Sequence, residues 1–303
     1  MKLCCKKPKR FQPDWIASTR NPRFQSNPTP HALKNFLNQS HTIGNPSMQA
    51  IISKRIKDIQ QERNCRILFA CESGSRAWGF PSPNSDYDAR FVYVHPLEWY
   101  LQITERKDTI ERMLPDDLDL AGWELRKTLH LFSGCNLALN EWIGSPLFYT
   151  EPNTPLLSEL RALIPAFFNS KKATYHYLSM AQNTMQAEWS LDNRIKIKKL
   201  FYILRPLCAC RWIANQQSMP PTHFPKMLEA GVAPRPIETW IRDLIHDKAS
   251  LIEGETIHVP EFAAKWIHST IEHALSNAIH IDPPLKTGDV EALNQTLRRE
   301  VLA

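Results

Sequence analysis

The sequence lacks the features that mark membrane and secreted proteins. None of its apolar runs reaches the roughly 20 residues that a helix needs to cross a bilayer. The basic start, MKLCCKKPKRFQPDW, is not followed by the apolar segment of a signal peptide. Together these absences predict a cytoplasmic protein with no membrane partner.

The cysteines also lack a recognisable arrangement. There are seven, an odd number, and no Cys-x-x-Cys pair occurs. Without a secretory signal, an odd number argues against structural disulfides, and no spacing matches a zinc site. We therefore expect the thiols to act as small buried apolar groups.

Basic charge is concentrated near one end of the chain. The formal net charge is +6, but residues 1–47 contain eight of the 37 Lys and Arg residues and only one of the 31 Asp and Glu residues. The remainder is close to neutral, so the basic pI by itself does not indicate nucleic-acid binding. Six prolines and little periodicity predict that residues 1–47 are a flexible extension. Met48 is an alternative start of the protein, and a basic arm that touches RNA is the functional alternative.

The rest of the chain divides into two parts by its periodicity. Residues 48–150 begin with a helical pattern at Met48 and contain four strand-like runs, at Arg66–Ala70, Ala89–Val94, Asp108–Met113 and Asp116–Leu125. After residue 150 strand patterns fade and helical spacing dominates, which predicts a helical, substrate- or nucleotide-binding domain over residues 151–303. The predicted fold class is α+β, with a mixed sheet followed by an α-helical domain.

The segment CESGSRAWGFPSPNSDYDARFVYV, from Cys71 to Val94, carries the chemistry, and its Gly-Ser pair is predicted to lie in a loop between the first two strands. In Gly74-Ser75, the glycine allows close approach of the backbone to a phosphate, and the serine adds a hydroxyl donor. Asp86 and Asp88 are two positions apart, so on a strand both carboxylates point to the same face. Hard oxygen ligands of this kind suit Mg²⁺ or Mn²⁺.

A third carboxylate is expected from a neighbouring strand. Asp119 lies between two leucines, and a charge in such a half-buried position usually needs a partner or a metal. Its predicted role is to bind a second metal ion and favour deprotonation of an acceptor hydroxyl. Asp117 shares the same face and is the alternative.

These motifs resemble a known family. A Gly-Ser pair, ten residues, Asp-x-Asp and an apolar-Asp-apolar triplet resemble the DNA polymerase β-like nucleotidyltransferase superfamily. The blocks ESGSRAWGFPSPNSDYDARFVYV, DLAGWELRKTL, NEWIGSPLFY and KKLFYILRPLCACRWI are more specifically similar to the RNA repair pathway DNA polymerase beta family. The resemblance extends over roughly Met48–Lys226 and implies a polymerase β-like nucleotidyltransferase domain in residues 48–150.

The resemblance implies a role for each motif residue. Gly74 and Ser75 would bind the β- and γ-phosphates of an NTP. Asp86 and Asp88 would bind the catalytic metal ions, Mg²⁺ or Mn²⁺, and Asp119 would complete the triad.

Other polar residues are candidates for binding the nucleotide. Arg76 is placed either to neutralise phosphate charge or to brace Glu72, and Ser85 to cap or orient the loop before Asp-x-Asp. Lys198, Tyr202 and Arg205 share one helix face, because they lie at positions i, i+4 and i+7. Such a face offers charge to phosphate and a ring to a base. A solvated basic face with a buried tyrosine is the equally open alternative.

The function predicted from these residues is metal-dependent transfer of NMP from an NTP to an acceptor hydroxyl. The resemblance implies that the acceptor is an RNA end, in RNA repair or tRNA processing. A protein hydroxyl, as in AMPylation, and a small molecule are alternative acceptors. A non-catalytic nucleotide-sensing or RNA-binding module is the alternative from a different class. The intact Gly-Ser, Asp-x-Asp and Asp set argues against it.

Overall fold

A computed structural model describes residues 47–114, 118–248, 254–281 and 288–303. The predicted extension of residues 1–47, apart from Ser47, and the alternative carboxylate Asp117 therefore lie outside the described residues. The described residues belong to one compact unit, Pro46–Ala303. Within these ranges, no helix combines the length and the apolar character that crossing a membrane requires.

Twelve helices and six strands make up the described part of the chain. In chain order they are α1 (Met48–Glu62), β1 (Arg66–Glu72), α2 (Gly74–Trp78), β2 (Tyr87–Val94), α3 (Leu97–Tyr100), β3 (Thr109–Leu114), β4 (Leu118–Glu124), α4 (Leu125–Ser133), α5 (Leu137–Ile143), α6 (Pro155–Phe167), α7 (Ser170–Glu188), β5 (Arg194–Lys196), α8 (Ile197–Gln216), α9 (Phe224–Glu229), α10 (Arg235–Lys248), β6 (Thr256–His258), α11 (Glu261–His280) and α12 (Val290–Leu302).

Four of the strands form a mixed sheet in the order β1-β2-β4-β3. β1 and β2 are antiparallel, β2 and β4 are parallel, and β3 and β4 are antiparallel. The two central strands, β2 and β4, therefore run in the same direction, and their first residues lie at the same edge of the sheet. The α+β class, with a mixed sheet followed by helices, is confirmed.

Helix α1 covers one face of the sheet. It begins at a serine cap, where the Ser47 side chain accepts a hydrogen bond from the backbone N–H of Ala50 at 3.3 Å. Ile52, Ile56 and Ile59 recur at helical spacing and are at most 3% exposed. They share one hydrophobic core with residues of the sheet, namely Ala89, Phe91, Tyr93, Leu118 and Leu120.

Helices α4, α5, α6 and α12 contribute to a second core, on the opposite face of the sheet. Val92 of β2 belongs to this core, as do Leu129 of α4 and Leu157 of α6. Leu293 of α12 is also buried in it, so the last helix packs onto the same core as the sheet. Each helix turns an apolar stripe to the strands and its polar side to solvent, which is the usual way a sheet face is buried.

Helices α7, α8 and α11 form the centre of a third and larger core. Phe80, which follows α2 in the chain, is also buried there and stacks on Phe201 of α8 with ring centroids 4.6 Å apart. The segment that carries the Gly-Ser pair is therefore anchored in the helical part of the molecule as well as in the sheet.

The structure differs from the sequence-based expectations in two elements. The Gly-Ser segment was expected to be a loop, but Gly74 and Ser75 lie in the first turn of the short helix α2. The part after residue 150 was expected to be helical, but β5 and β6 pair as a small antiparallel sheet. Three-residue strands in a helical region carry too little alternation to be detected from sequence.

Five cysteines lie in the described residues, and all of them are free and buried. Burial raises the pKa of the Cys65 thiol to about 11 and that of Cys210 to about 12. These thiols stay protonated and pack as small apolar groups, as the sequence predicted.

Candidate active site

The parallel pairing of β2 and β4 places two predicted carboxylates side by side. Asp88 and Asp119 are Cα partners in the register of these strands. Paired residues on adjacent strands point to the same face, so both carboxylates project toward the same point at the edge of the sheet. Their side chains are 29% and 31% exposed, which leaves them half-buried and accessible to a ligand.

Arg90 joins the two carboxylates. Its Nη2 atom donates to Asp88 Oδ1 at 3.0 Å and to Asp119 Oδ2 at 2.8 Å. Its Nη1 atom donates to the backbone carbonyl of Asp119 at 3.0 Å. One guanidinium therefore neutralises part of the charge of both aspartates and fixes where their oxygen atoms lie.

Gly74 lies directly against Asp88. Its φ of +59° falls in the left-handed region, where residues with a Cβ are strained. A Cβ at this position would overlap Oδ2 of Asp88 and lie 3.0 Å from its Cγ. A glycine is thus needed here both for the backbone conformation and for the close approach to the carboxylate.

A buried glutamate supports the site from behind. Glu72, at the end of β1, is 1% exposed, and its Oε1 accepts a hydrogen bond from the backbone N–H of Asp88 at 2.9 Å. Its Oε2 accepts from the hydroxyl of Tyr149. Burial raises the pKa of Glu72, and these two hydrogen bonds oppose that shift. The contact holds the start of β2 against the end of β1, next to Gly74.

Asp86 precedes β2 and is exposed. It is close enough to Asp88 for its charge to contribute to the raised pKa of that carboxyl. Burial is the largest cause of that shift, and Arg90 opposes it. All three predicted carboxylates therefore lie in one region. Asp88 and Asp119 are linked through one shared hydrogen-bond donor, Arg90.

Arg76 and Ser85 shape the loop that precedes Asp86. The Arg76 guanidinium donates to the carbonyl of Ser85 at 2.7 Å and to the carbonyl of Asp86 at 3.1 Å, and it lies over the Tyr87 ring. The Ser85 hydroxyl is buried and accepts from the backbone N–H of Ser82 at 2.9 Å. Both residues thus orient the loop, which is the role considered for Ser85. For Arg76 it is an additional role, and phosphate neutralisation and bracing of Glu72 stay predictions.

The three predicted residues of α8 do not form one open basic face. Lys198 is half-buried and near enough to Asp88 for its charge to act to lower the pKa of that carboxyl. Tyr202 packs edge-on against Trp78, with ring centroids 5.4 Å apart. Arg205 is 2% exposed and pairs with Glu141 at 2.8 Å, so it lies inside the protein.

The donor atoms at this site fit a divalent cation. Two carboxylates on neighbouring strands direct oxygen atoms at one positively charged nitrogen, and Asp86 offers a third carboxylate nearby. Oxygen ligands of this kind are the ones that Mg²⁺ and Mn²⁺ prefer. In the described part of the chain, no three His, Cys, Asp or Glu side chains already converge as a cation site. Arg90 is the group that lies between the Asp88 and Asp119 oxygens.

Sequence reasoning did not identify Arg90 or Glu141 as parts of this region, and it named Glu72 only as an alternative partner of Arg76. A signal existed for Arg90, because it lies two positions after Asp88 on the same strand and so on the same face. Glu72 is a charged residue at the end of an otherwise apolar run, which suggests a buried partner. The partner of Glu141 is 64 positions away in α8 and could not be inferred from local spacing.

Two comparisons place the chain among known proteins. A family model described as the RNA repair pathway DNA polymerase beta family matches residues 48–299. The chain is also 38% identical over 239 residues to YcgL, an uncharacterized protein of Bacillus subtilis (strain 168), and the match spans 79% of this chain and 90% of that protein. The residues matched by the family model include the Gly-Ser pair, the two central strands and the helices that pack on them.

Proposed function

Because the chain belongs to the RNA repair pathway DNA polymerase beta family, we propose that it is a metal-dependent nucleotidyltransferase that transfers NMP from an NTP to the hydroxyl of an RNA end. The observation that carries this proposal is the in-register pair of Asp88 and Asp119 with Gly74 pressed against Asp88. A close-fitting glycine turn beside paired carboxylates is the arrangement that handling a polyphosphate next to a cation requires.

Each group has a task in this reaction. The first backbone N–H groups of a helix have no acceptor within the helix, so those of Gly74 and Ser75 can donate to the β- and γ-phosphates. Asp86, Asp88 and Asp119 would hold Mg²⁺ or Mn²⁺, which supplies charge stabilisation at the transferring phosphoryl group. Lys198 is near Asp88 and would add positive charge toward the phosphates.

The bonds that change are those at the α-phosphorus. The acceptor hydroxyl oxygen attacks this phosphorus, and the bond from phosphorus to the oxygen that bridges to the β-phosphate breaks. Pyrophosphate leaves with the bonding electrons, and the hydroxyl proton passes to Asp119 or to solvent. Asp119 is suited to receive it, since its side chain is partly exposed at the edge of the sheet.

The RNA acceptor rests on the family, whose name refers to RNA repair. A protein hydroxyl and a small molecule use the same chemistry at the phosphorus and remain alternative acceptors. Localisation in the cytoplasm fits this role and is part of the proposal.

A label-transfer assay tests the proposal. The protein is incubated with each α-labelled NTP, Mg²⁺ or Mn²⁺, and RNA or a cell extract. Asp88→Asn and Asp119→Asn remove one charge each at the site, and Asp243→Asn makes the same chemical change on an exposed residue of α10. We expect label in RNA with the wild type and Asp243→Asn. We expect at least about a hundredfold less with either site variant, because electrostatic stabilisation of phosphoryl transfer is lost.

The position of the label separates the alternatives. Label in a protein band would contradict the RNA acceptor and support AMPylation-type modification. Label that is equal in Asp88→Asn, Asp119→Asn and the wild type would contradict the assignment of the site. If the folded protein transfers label to no fraction, this would contradict nucleotidyl transfer and favour a nucleotide-sensing module.

A further inference from the structure

The position of Arg90 carries a further inference about how the site is controlled. Its side chain is only 17% exposed and lies between two strands, where four hydrogen bonds hold it. Two of these bonds go to the carboxylates of Asp88 and Asp119, and two go to backbone carbonyls of Ala89 and Asp119. Such a set of contacts leaves the guanidinium one main position.

The contacts have an electrostatic reason. Two half-buried carboxylates side by side repel each other, and each loses hydration on burial. The planar guanidinium can bond to both at once, which a point charge does less well. Arg90 therefore supplies positive charge that offsets the repulsion between these two aspartates.

A divalent cation would use the same oxygen atoms. Asp88 Oδ1 and Asp119 Oδ2 both lie within 3.0 Å of a single nitrogen, Nη2 of Arg90. A cation bound between these oxygens cannot coexist with the guanidinium at that distance, because the two positive groups would repel and compete for the same lone pairs.

We propose that Arg90 is a built-in counter-ion that occupies the cation position between Asp88 and Asp119 and must withdraw before the catalytic metal binds. This inference rests on the proposed function. Arg90 is a positioning residue that stabilises the metal-free protein and weakens the binding of metal alone. A triphosphate offers the displaced guanidinium a new anionic partner, since arginine binds phosphate oxygens well. The site therefore favours joint binding of metal and nucleotide over binding of metal alone.

Titration with Mn²⁺ in the absence of nucleotide tests the proposal. Free Mn²⁺ is measured by its electron paramagnetic resonance signal for the wild type, Arg90→Gln and Arg112→Gln. Arg112 is the matched control, since it lies on β3 of the same sheet and pairs with Glu62, away from the carboxylates. We expect Arg90→Gln to bind Mn²⁺ at least about tenfold more tightly than the wild type, because one competing charge is removed. Arg112→Gln should bind like the wild type.

Thermal unfolding is a second measurement. It distinguishes a counter-ion from an arginine that only supports packing. Without metal, Arg90→Gln should melt below the wild type, because the two carboxylates have lost their counter-ion. Mn²⁺ at the same saturating concentration should raise the Tm of Arg90→Gln by more than that of the wild type, because tighter binding adds more to the free energy of unfolding. An arginine that only supports packing would lower both melting temperatures by the same amount.

The outcomes distinguish this inference from the proposed function. Mn²⁺ binding to the wild type that is lost in Asp88→Asn/Asp119→Asn but not tightened in Arg90→Gln would overturn the role of Arg90 alone. Tightened binding without label transfer would leave Arg90 as a counter-ion and contradict the transferase. If Arg90→Gln does not fold, Arg90→Lys replaces it. Lysine keeps the charge but loses the bridging geometry, so tighter Mn²⁺ binding than the wild type is expected and equal binding would count against the proposal.

Discussion

At the scale of single residues, the contact between Gly74 and Asp88 is the most demanding feature of the site. The glycine has a φ of +59°, and its missing side chain leaves the space that the Asp88 carboxylate fills. The backbone conformation and the contact act together, so the position tolerates no larger residue without moving the carboxylate. The cost of a side chain in the left-handed backbone conformation can be separated from the cost of the clash with Asp88 by comparison with Gly231, which has a similar φ.

Gly74→Ala is expected to lower nucleotidyl transfer about a hundredfold, because a displacement of Asp88 by about 1 Å misplaces the reacting groups. Gly231→Ala is the control, since Gly231 has a φ of +70° and nothing lies within 4 Å of an added Cβ. Both variants should lose roughly 1–2 kcal/mol of unfolding free energy from the left-handed backbone. Transfer assays and urea unfolding on both would show whether activity falls only in Gly74→Ala. Equal activity in the two variants would contradict a role for the contact.

At the scale of elements, a buried polar cluster joins the helix of the Gly-Ser pair to the helical part. Glu141 of α5 accepts from Arg205 of α8 at 2.8 Å, from the Tyr177 hydroxyl of α7 at 2.8 Å and from Trp78 Nε1 at the end of α2 at 3.0 Å. The Arg205 guanidinium also lies 4.5 Å from the centroid of the Trp78 ring. Four helices thus meet at one carboxylate, and α2 is held in place by it.

Glu141→Ala should lower the unfolding free energy by about 3–5 kcal/mol, because Arg205 would stay buried without an anion. Glu261→Ala breaks the exposed pair with Lys265 and should leave stability nearly unchanged, since exposed pairs contribute little. Guanidinium denaturation of both variants measures the difference. A small effect of Glu141→Ala would mean that Arg205 reaches solvent or another anion. The prediction that Arg205 contacts the nucleotide would then gain support.

At the scale of the whole molecule, the hydrophobic cores are built from both sides of residue 150. The helical core contains Phe80 and Leu137, and the core on the α4 side of the sheet contains Leu157 and Leu293. The amine of Lys248 in α10 also donates to the carbonyl of Phe80 at 2.7 Å. The proposed domains, residues 48–150 and 151–303, therefore share their cores. Shared cores favour unfolding of both parts together.

We expect residues 47–303 to unfold in one cooperative transition, with equal calorimetric and van't Hoff enthalpies. Phe80→Ala and Leu293→Ala remove side chains from different cores and should each cost about 2–5 kcal/mol while shifting the same single transition. Differential scanning calorimetry of the three proteins is the measurement. Two transitions, with each variant shifting only one of them, would show instead that residues 48–150 and 151–303 unfold independently.

Local patterns in the sequence were sufficient to locate the strands of the sheet and most helices, and to identify the candidate carboxylates. Alternation and helical spacing located the four strands of the sheet and most of the helices, because burial on one face repeats with a fixed period. The spacing of Asp86 and Asp88, and the apolar neighbours of Asp119, followed from the same rule. The roles assigned to these residues, and the domain boundary at residue 150, stay predictions.

Contacts between distant segments required the folded structure. The register of β2 and β4, which pairs Asp88 with Asp119, depends on how two strands align, and spacing within either strand does not specify it. The bridging position of Arg90 and the burial of Arg205 against Glu141 follow from that packing. The sequence determines the charge of a side chain. Its partner depends on which chain segments folding brings within a few ångströms. That partner decides whether an arginine binds a ligand, a carboxylate or water.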